Sequence, residues 1–384
     1  MKKIILSCFL ILGALLSICF VVFSYIFIDP SLLIMLGQSK PVLIEMISSL
    51  RNLVSLVLTN QIGLYLLILL NGLVLIILFL KKTVGKKILG LAISIPSILV
   101  FAYPIVSRDI FSYLYYAKMI LVGHQNPYLV APMVNWGVDM WVGFLHNVEQ
   151  VYAYGPMALL LNLVPMALLG AERFLVNVFV LKAVSLAFFL FGAWLFLKIS
   201  KNLNYVLVMW ILNPYIINEL LINGHNDLFM IVFFWLAIYL KQKSKTILSL
   251  LAWTLSVATK YVSVVLLPVF FMPKKMQQLF GLMAIVVIGG YFTYNGYLPW
   301  YYSWMYFLLP YLKLNKPQIF SLLYLQLALV LMYSGFLQNG LWGTYPSSQI
   351  IVWIMRSIKI FTPLFVLATV YPYFWKKIRP RLAS

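Results

Sequence analysis

The chain has 384 residues, 64% hydrophobic and only 9% charged; soluble globular chains carry about 25% charged residues, so a soluble enzyme is excluded. The formal net charge of +20 comes from 28 Lys and Arg against 8 Asp and Glu. The basic residues fall in short runs between apolar windows, such as Lys81-Lys82 with Lys86-Lys87 and Lys376-Lys377 with Arg379 and Arg381, which is the positive-inside pattern of cytoplasmic membrane loops and not a nucleic-acid footprint.

Apolar windows of about 20 residues recur, each long enough to cross about 30 Å of hydrocarbon. The expected fold class is an all-α polytopic integral membrane protein, arranged as a single domain over 1–384. Met1-Lys2-Lys3 opens an apolar run that continues to Ile28 without a small-x-small cleavage site and reads as an uncleaved signal-anchor. Cys8 and Cys19 both lie in that window, so neither a disulfide framework nor a zinc site is expected. Residues 30–61 carry apolar side chains at 3/4 spacing and predict an amphipathic helix on the membrane surface. Further crossings are expected at 62–80, 88–106, 174–197, 205–222, 227–240, 279–296, 301–312, 319–338 and 349–374, about ten with the first.

Two stretches depart from simple crossings. Residues 107–172 form a long outer segment with a helix at 109–122, a turn at Gly123–Tyr128, and a horizontal or re-entrant helix at 156–169 that is short and interrupted by Pro165. Residues 247–271 have lysines on both flanks, so a single crossing would leave one cluster outside. Two half-helices, 247–258 and 261–271, turning at Lys260-Tyr261, keep both flanks inside. Broken backbone at that depth needs protein or water around it. In this topology both termini are cytoplasmic, and all 8 acids lie outside or at outer helix ends. Carboxylate chemistry is therefore available on the outer face.

Asp109, after Arg108 at the outer mouth of the third crossing, can act as a general base on a hydroxyl; the alternative is an ordinary Arg108–Asp109 interfacial pair. Asn223-Gly224-His225-Asn226-Asp227 is a polar knot between apolar windows, with Glu219 one to two turns earlier. His225 and Asp227 can bind a divalent cation (Mg or Mn) or hold phosphate or sugar hydroxyls; the alternative is an interhelical turn with Asp227 as N-cap. Lys260 lies about 18 Å up from the cytoplasmic side. It can meet a lipid phosphate or pair internally with Glu219 or Asp227. Arg356 and Lys359, one turn apart, can bind phosphate or snorkel. Trp136, Trp141, Trp300, Tyr301, Tyr302 and Trp304 read as an aromatic belt, with sugar stacking as the other reading.

Ser107-Arg108-Asp109-Ile110-Phe111-Ser112-Tyr113, then Gly123…Asn126-Pro127-Tyr128, then Tyr154-Gly155-Pro156, resemble the first large outer loop of GT-C membrane glycosyltransferases. Leu212-Asn213-Pro214, the 223–227 knot, and Ala258-Thr259-Lys260-Tyr261 leading to Leu267-Pro268 extend the likeness. The ensemble is most similar to the polyprenyl-phosphate-mannose-dependent α-(1→6)-mannosyltransferases of the MptA/MptB type. The resemblance implies a GT-C-like bundle and inverting transfer of a hexose from a polyprenyl-phosphate sugar to a glycan or lipid-linked acceptor, outside the plasma membrane. Asp109 stands at the family's catalytic acid position, which implies general base. Arg108, Asn126, Tyr128, Tyr154, His225, Asn226, Asp227 and Lys260 are implied as substrate contacts; Arg356 and Lys359, outside the matched stretch of about 107–268, are expected to join them on their charge and spacing alone. The chain has no Asp-x-Asp pair, so a metal role rests on His225 and Asp227. The rival reading is a transporter or flippase of an anionic lipid or lipid-linked sugar.

Overall fold

The computed structural model of the chain describes residues 2–332, apart from 40, 54–55, 81–83, 274–275, 313 and most of 278–298. Arg356, Lys359, the crossing expected at 349–374 and nearly all of that expected at 279–296 lie outside the described residues. Among those residues every regular element is helical. Contacts divide the chain into two units, 1–195 with 202–264 and 196–201 with 265–384. In the second, a 3₁₀ helix occupies Pro299–Tyr311 and an α-helix Lys316–Met332, joined by a 2.6 Å hydrogen bond from Gln326 Nε2 to the Tyr306 hydroxyl.

The first unit begins with α1 (Lys2–Ser24), α2 (Pro30–Ser39), α3 (Pro41–Leu53), α4 (Leu56–Phe79) and α5 (Lys86–Leu99). In α1, Ser17 and Ser24 donate their hydroxyls to the carbonyls of Gly13 and Val21, so neither hydroxyl is left bare in an apolar run. Gly13 admits α5 closely: a Cβ there would lie 2.9 Å from Ile95 Cδ1. The crossing expected at 88–106 stops at Leu99, just past Pro96, which lacks a donor and crowds the preceding turn. Residues 100–108 then run without helix to α6 (Asp109–Leu121). The short helix expected at 156–169 is α7 (Pro156–Leu169).

Next comes α8 (Phe174–Ser200). The continuous helix expected at 205–222 is two pieces, α9 (Leu203–Ile211) and α10 (Pro214–Ile222), bent by 44°. Pro214 removes an N–H and holds Asn213 extended. The Asn213 carboxamide then caps the new start by accepting from the N–H groups of Tyr215 and Ile216. Much of both pieces has wide π-type turns. The lengths of Ile4–Phe27, Gln61–Phe79 and Phe174–Ser200 suffice to cross a membrane, and the bent pair adds a fourth candidate, among the described residues. The protein is thus an all-helical polytopic membrane protein, with fewer long spans in the described part than the sequence pattern predicts.

α11 (Asp227–Gln242) and α12 (Thr246–Thr259) form an antiparallel hairpin. Ser249 donates to the Ala237 carbonyl and Ser256 to that of Met230. At Lys260 the backbone is extended (φ −150°, ψ 120°), and a 3₁₀ helix, Tyr261–Phe270, comes after it. Trp253 Nε1 donates to the Ser263 carbonyl at 3.1 Å, so the chain folds back at Lys260, where the break was expected.

Candidate functional site

Asp109 is the first residue of α6, where a carboxylate meets the positive end of the helix dipole. Its Oδ2 accepts from the Tyr113 hydroxyl one turn on, at 3.3 Å, and faces His225 Nδ1 at 3.2 Å. The other imidazole nitrogen, Nε2, faces Glu219 Oε2 at 3.5 Å, and Asn218 Nδ2 holds the second Glu219 oxygen at 2.9 Å. His225 is buried, whereas 24% of the Asp109 side chain is exposed. Burial pushes the imidazole pKa down, but hydrogen bonds to Asp109 and Glu219 outweigh it and raise the pKa to about 9. Burial likewise opposes the charge on Asp109, yet the His225 hydrogen bond and the charges of His225 and Lys260 hold its carboxyl below the usual value. The pair is carboxylate and imidazolium at neutral pH.

The Arg108–Asp109 pair that sequence alone allows does not form. The Arg108 guanidinium turns instead to the Asp29 carboxylate and the Phe144 carbonyl, leaving Asp109 to His225. Nor does Asp227 occupy the cap position: it is the first residue of α11, and Asn226 stands at the cap. The Asp227 carboxylate takes Lys260 Nζ at 2.8 and 3.0 Å, with 1% of the Asp227 side chain exposed and 12% of the Lys260 side chain. The same ammonium lies 5.2 Å over the Tyr154 ring, a cation–π position. Tyr154 packs edge-on to Tyr113, with centroids 5.4 Å apart. The Tyr113 and Tyr154 rings together therefore bridge the Asp109–His225 pair and the Asp227–Lys260 pair.

The short motifs build this arrangement. Asn126 accepts from the Tyr128 N–H, forming the predicted turn, and the Pro127 carbonyl takes the Tyr152 N–H at 2.8 Å. Tyr128 and Tyr152 stack edge-on, with their hydroxyls buried and unpartnered among the described residues. Gly155 N–H donates to the Thr259 carbonyl at 3.0 Å, and a Cβ at Gly155 would sit 2.1 Å from the Ala258 carbonyl oxygen. Only glycine permits that approach. Gly224, at φ +69°, likewise packs on Ile110. The Asn223 and Asn226 carboxamides are fully buried without hydrogen-bond partners among the described residues.

Glu219 is a partner that the sequence reading did not place in the site. Its signal was present, as a lone acid in an apolar run six residues before His225. A cavity of about 940 Å³ lies elsewhere, on the far side of α6, lined in part by Tyr115, Lys118, Gln125, Asp139 and Glu172. At 100° per residue, Asp109, Tyr113 and Tyr116 share one face, and Tyr115, Lys118 and Met119 the other. Trp141 is buried under the Lys118 ammonium, 4.5 Å from its ring, and is no sugar platform.

The donor set does not fit a resident divalent cation. Both His225 nitrogens face carboxylates and both Asp227 oxygens take Lys260. No group of three His, Cys, Asp or Glu has metal-binding geometry among the described residues.

A helical membrane protein with a partly exposed carboxylate, an imidazolium and an ammonium gathered at helix ends has the fittings of a membrane group-transfer enzyme. Residues 31–274 match the family described as alpha-(1->6)-mannopyranosyltransferase, N-terminal domain, and the chain belongs to that MptA/MptB family of mannosyltransferases. Comparisons with curated proteins and with solved structures gave no match.

Proposed function

We propose that the protein moves a mannose from a polyprenyl phosphate to a hydroxyl of a glycan or lipid-linked acceptor, with inversion, at the extracytoplasmic face of the plasma membrane, both termini being cytoplasmic. The observation that carries this reading is the joining of His225, Asp109, Tyr113, Tyr154, Lys260 and Asp227 into one contact chain. The acceptor oxygen forms a bond to the anomeric carbon as the carbon–phosphate-oxygen bond breaks. The electron pair leaves on the phosphate, and the acceptor proton passes to Asp109. His225 keeps Asp109 ionised beforehand, which a base requires. Lys260 brings positive charge to the leaving phosphate where little water competes. Arg108, tied to Asp29, and Asn126, tied into its turn, shape the walls. Tyr128 and Asn226 offer buried polar groups to the sugar.

The test is transfer from radiolabelled polyprenyl-phosphate mannose in membranes bearing wild type or Asp109→Asn. Loss of label transfer at equal protein level supports the assignment. Undiminished transfer removes Asp109 as base, and labelling from a nucleotide sugar without a lipid intermediate overturns the donor.

A further inference from the structure

Lys182 lies in the middle of α8 and is 1% exposed. No carboxylate pairs with it among the described residues. Its Nζ instead donates to two backbone carbonyls, Val100 at 2.8 Å and Ile222 at 3.1 Å. Those carbonyls end two helices. Val100 is the residue after α5, and Ile222 is the last residue of α10. The final carbonyls of a helix have no partner within it, and in a dry interior none comes from water. A lysine amine supplies donors to both.

Each carbonyl is also the root of a segment that leads to the site. Beyond Val100 the chain runs to Asp109, and beyond Ile222 it runs three residues to His225. The two segments meet again where His225 contacts Asp109, and just past Asp109 Ile110 packs on Gly224 of the other segment. The result is a closed ring: Lys182, the 100–109 segment, the Asp109–His225 contact, the 222–225 segment, and Lys182 again. We propose that Lys182 is a positioning residue, pinning the roots of both segments so that the Asp109 carboxylate and the His225 imidazole meet at their tips. It touches no substrate. Its effect on rate rests on the transferase reading; the pin itself is tested without catalysis.

The experiment compares full-length wild type, Lys182→Met and Lys182→Arg in detergent, with backbone hydrogen exchange and transfer kinetics. Loss of the donors is expected to speed exchange at 101–108 and 223–227 while α4 and α12 keep wild-type protection. The kcat should fall about 100-fold, the scale of a reacting group misplaced by about 1 Å, with donor KM little changed. Arg keeps the donors and is expected to recover much of the rate. If Lys182→Met does not accumulate, Lys182→Leu, which also lacks a donor, is read in the same way. Unchanged exchange at both segments overturns the pin. Exchange accelerated throughout the unit overturns positioning in favour of a general brace. Faster exchange at both segments with unchanged kcat upholds the pin and counts against Asp109 and His225 as the reacting pair.

Discussion

On one face of α6 a single carboxylate, Asp109, is held by a buried imidazolium; on the other a single ammonium, Lys118, is held by Asp139 at 2.8 Å and Glu172 at 3.2 Å. The second region has the open volume, yet its charges already neutralise one another, and 66% of the Glu172 side chain is in solvent. The first encloses an alternating series of charges, in which the Asp109 carboxylate and the His225 imidazolium hold each other ionised. The 940 Å³ cavity and the Asp109–His225 pair thus lie on opposite sides of one helix. On the proposed reading, the internal electrostatics mark the reactive side.

The sharpest way to break this contrast is to neutralise one carboxylate on each face. Asp109→Asn is expected to lower kcat by about 10²–10⁴-fold, the range of a lost general base, while Glu172→Gln leaves the initial rate within a few-fold. Equal losses would erase the distinction. Next in size is Gly155→Ala. Its Cβ would press on the fixed Ala258 carbonyl, and overpacking of this kind costs about 1–3 kcal/mol, read as a lowered unfolding midpoint in detergent.

A third prediction uses pH. The His225 pKa is raised from 6.5 to about 9 in the folded protein, so its stabilisation is complete below about 6.5 and is lost as pH climbs through about 9. Unfolding midpoints and initial rates should fall along that limb in wild type and stay flat in His225→Gln. An unchanged limb in the variant would assign the titration elsewhere. The smallest effect belongs to the open face: the stability of Glu172→Gln should differ from wild type by no more than about 1 kcal/mol, as expected for an exposed pair.

Much of the fold was legible because long apolar windows declare themselves. α1, α4 and α8 track uninterrupted runs, and α7 tracks a run too short to cross. The fold-back at Lys260 was readable from lysines on both flanks. The bend at Asn213-Pro214 was written in the proline, yet the hydropathy of 205–222 masks it, since a window average ignores a missing donor. In the site, Asp109, His225, Asp227 and Lys260 stood out as charges in a greasy chain, and the Asp227–Lys260 pair was one of the stated alternatives. Their other partners were not legible. Arg108 reaches back to Asp29 through folding that no local spacing encodes, whereas Glu219, six residues before His225, was close in sequence but its direction was not legible.

The close approach at Gly155 has a mechanical consequence. With its N–H on the Thr259 carbonyl and its Cα against Ala258, the strand of chain bearing Tyr154 is riveted to the end of α12, one residue before Lys260. The ring and the ammonium above it are therefore carried on a common mount. On the proposed reading, a bulky lipid donor arriving at either one must shift both, so its admission and the exposure of the cation become a single movement.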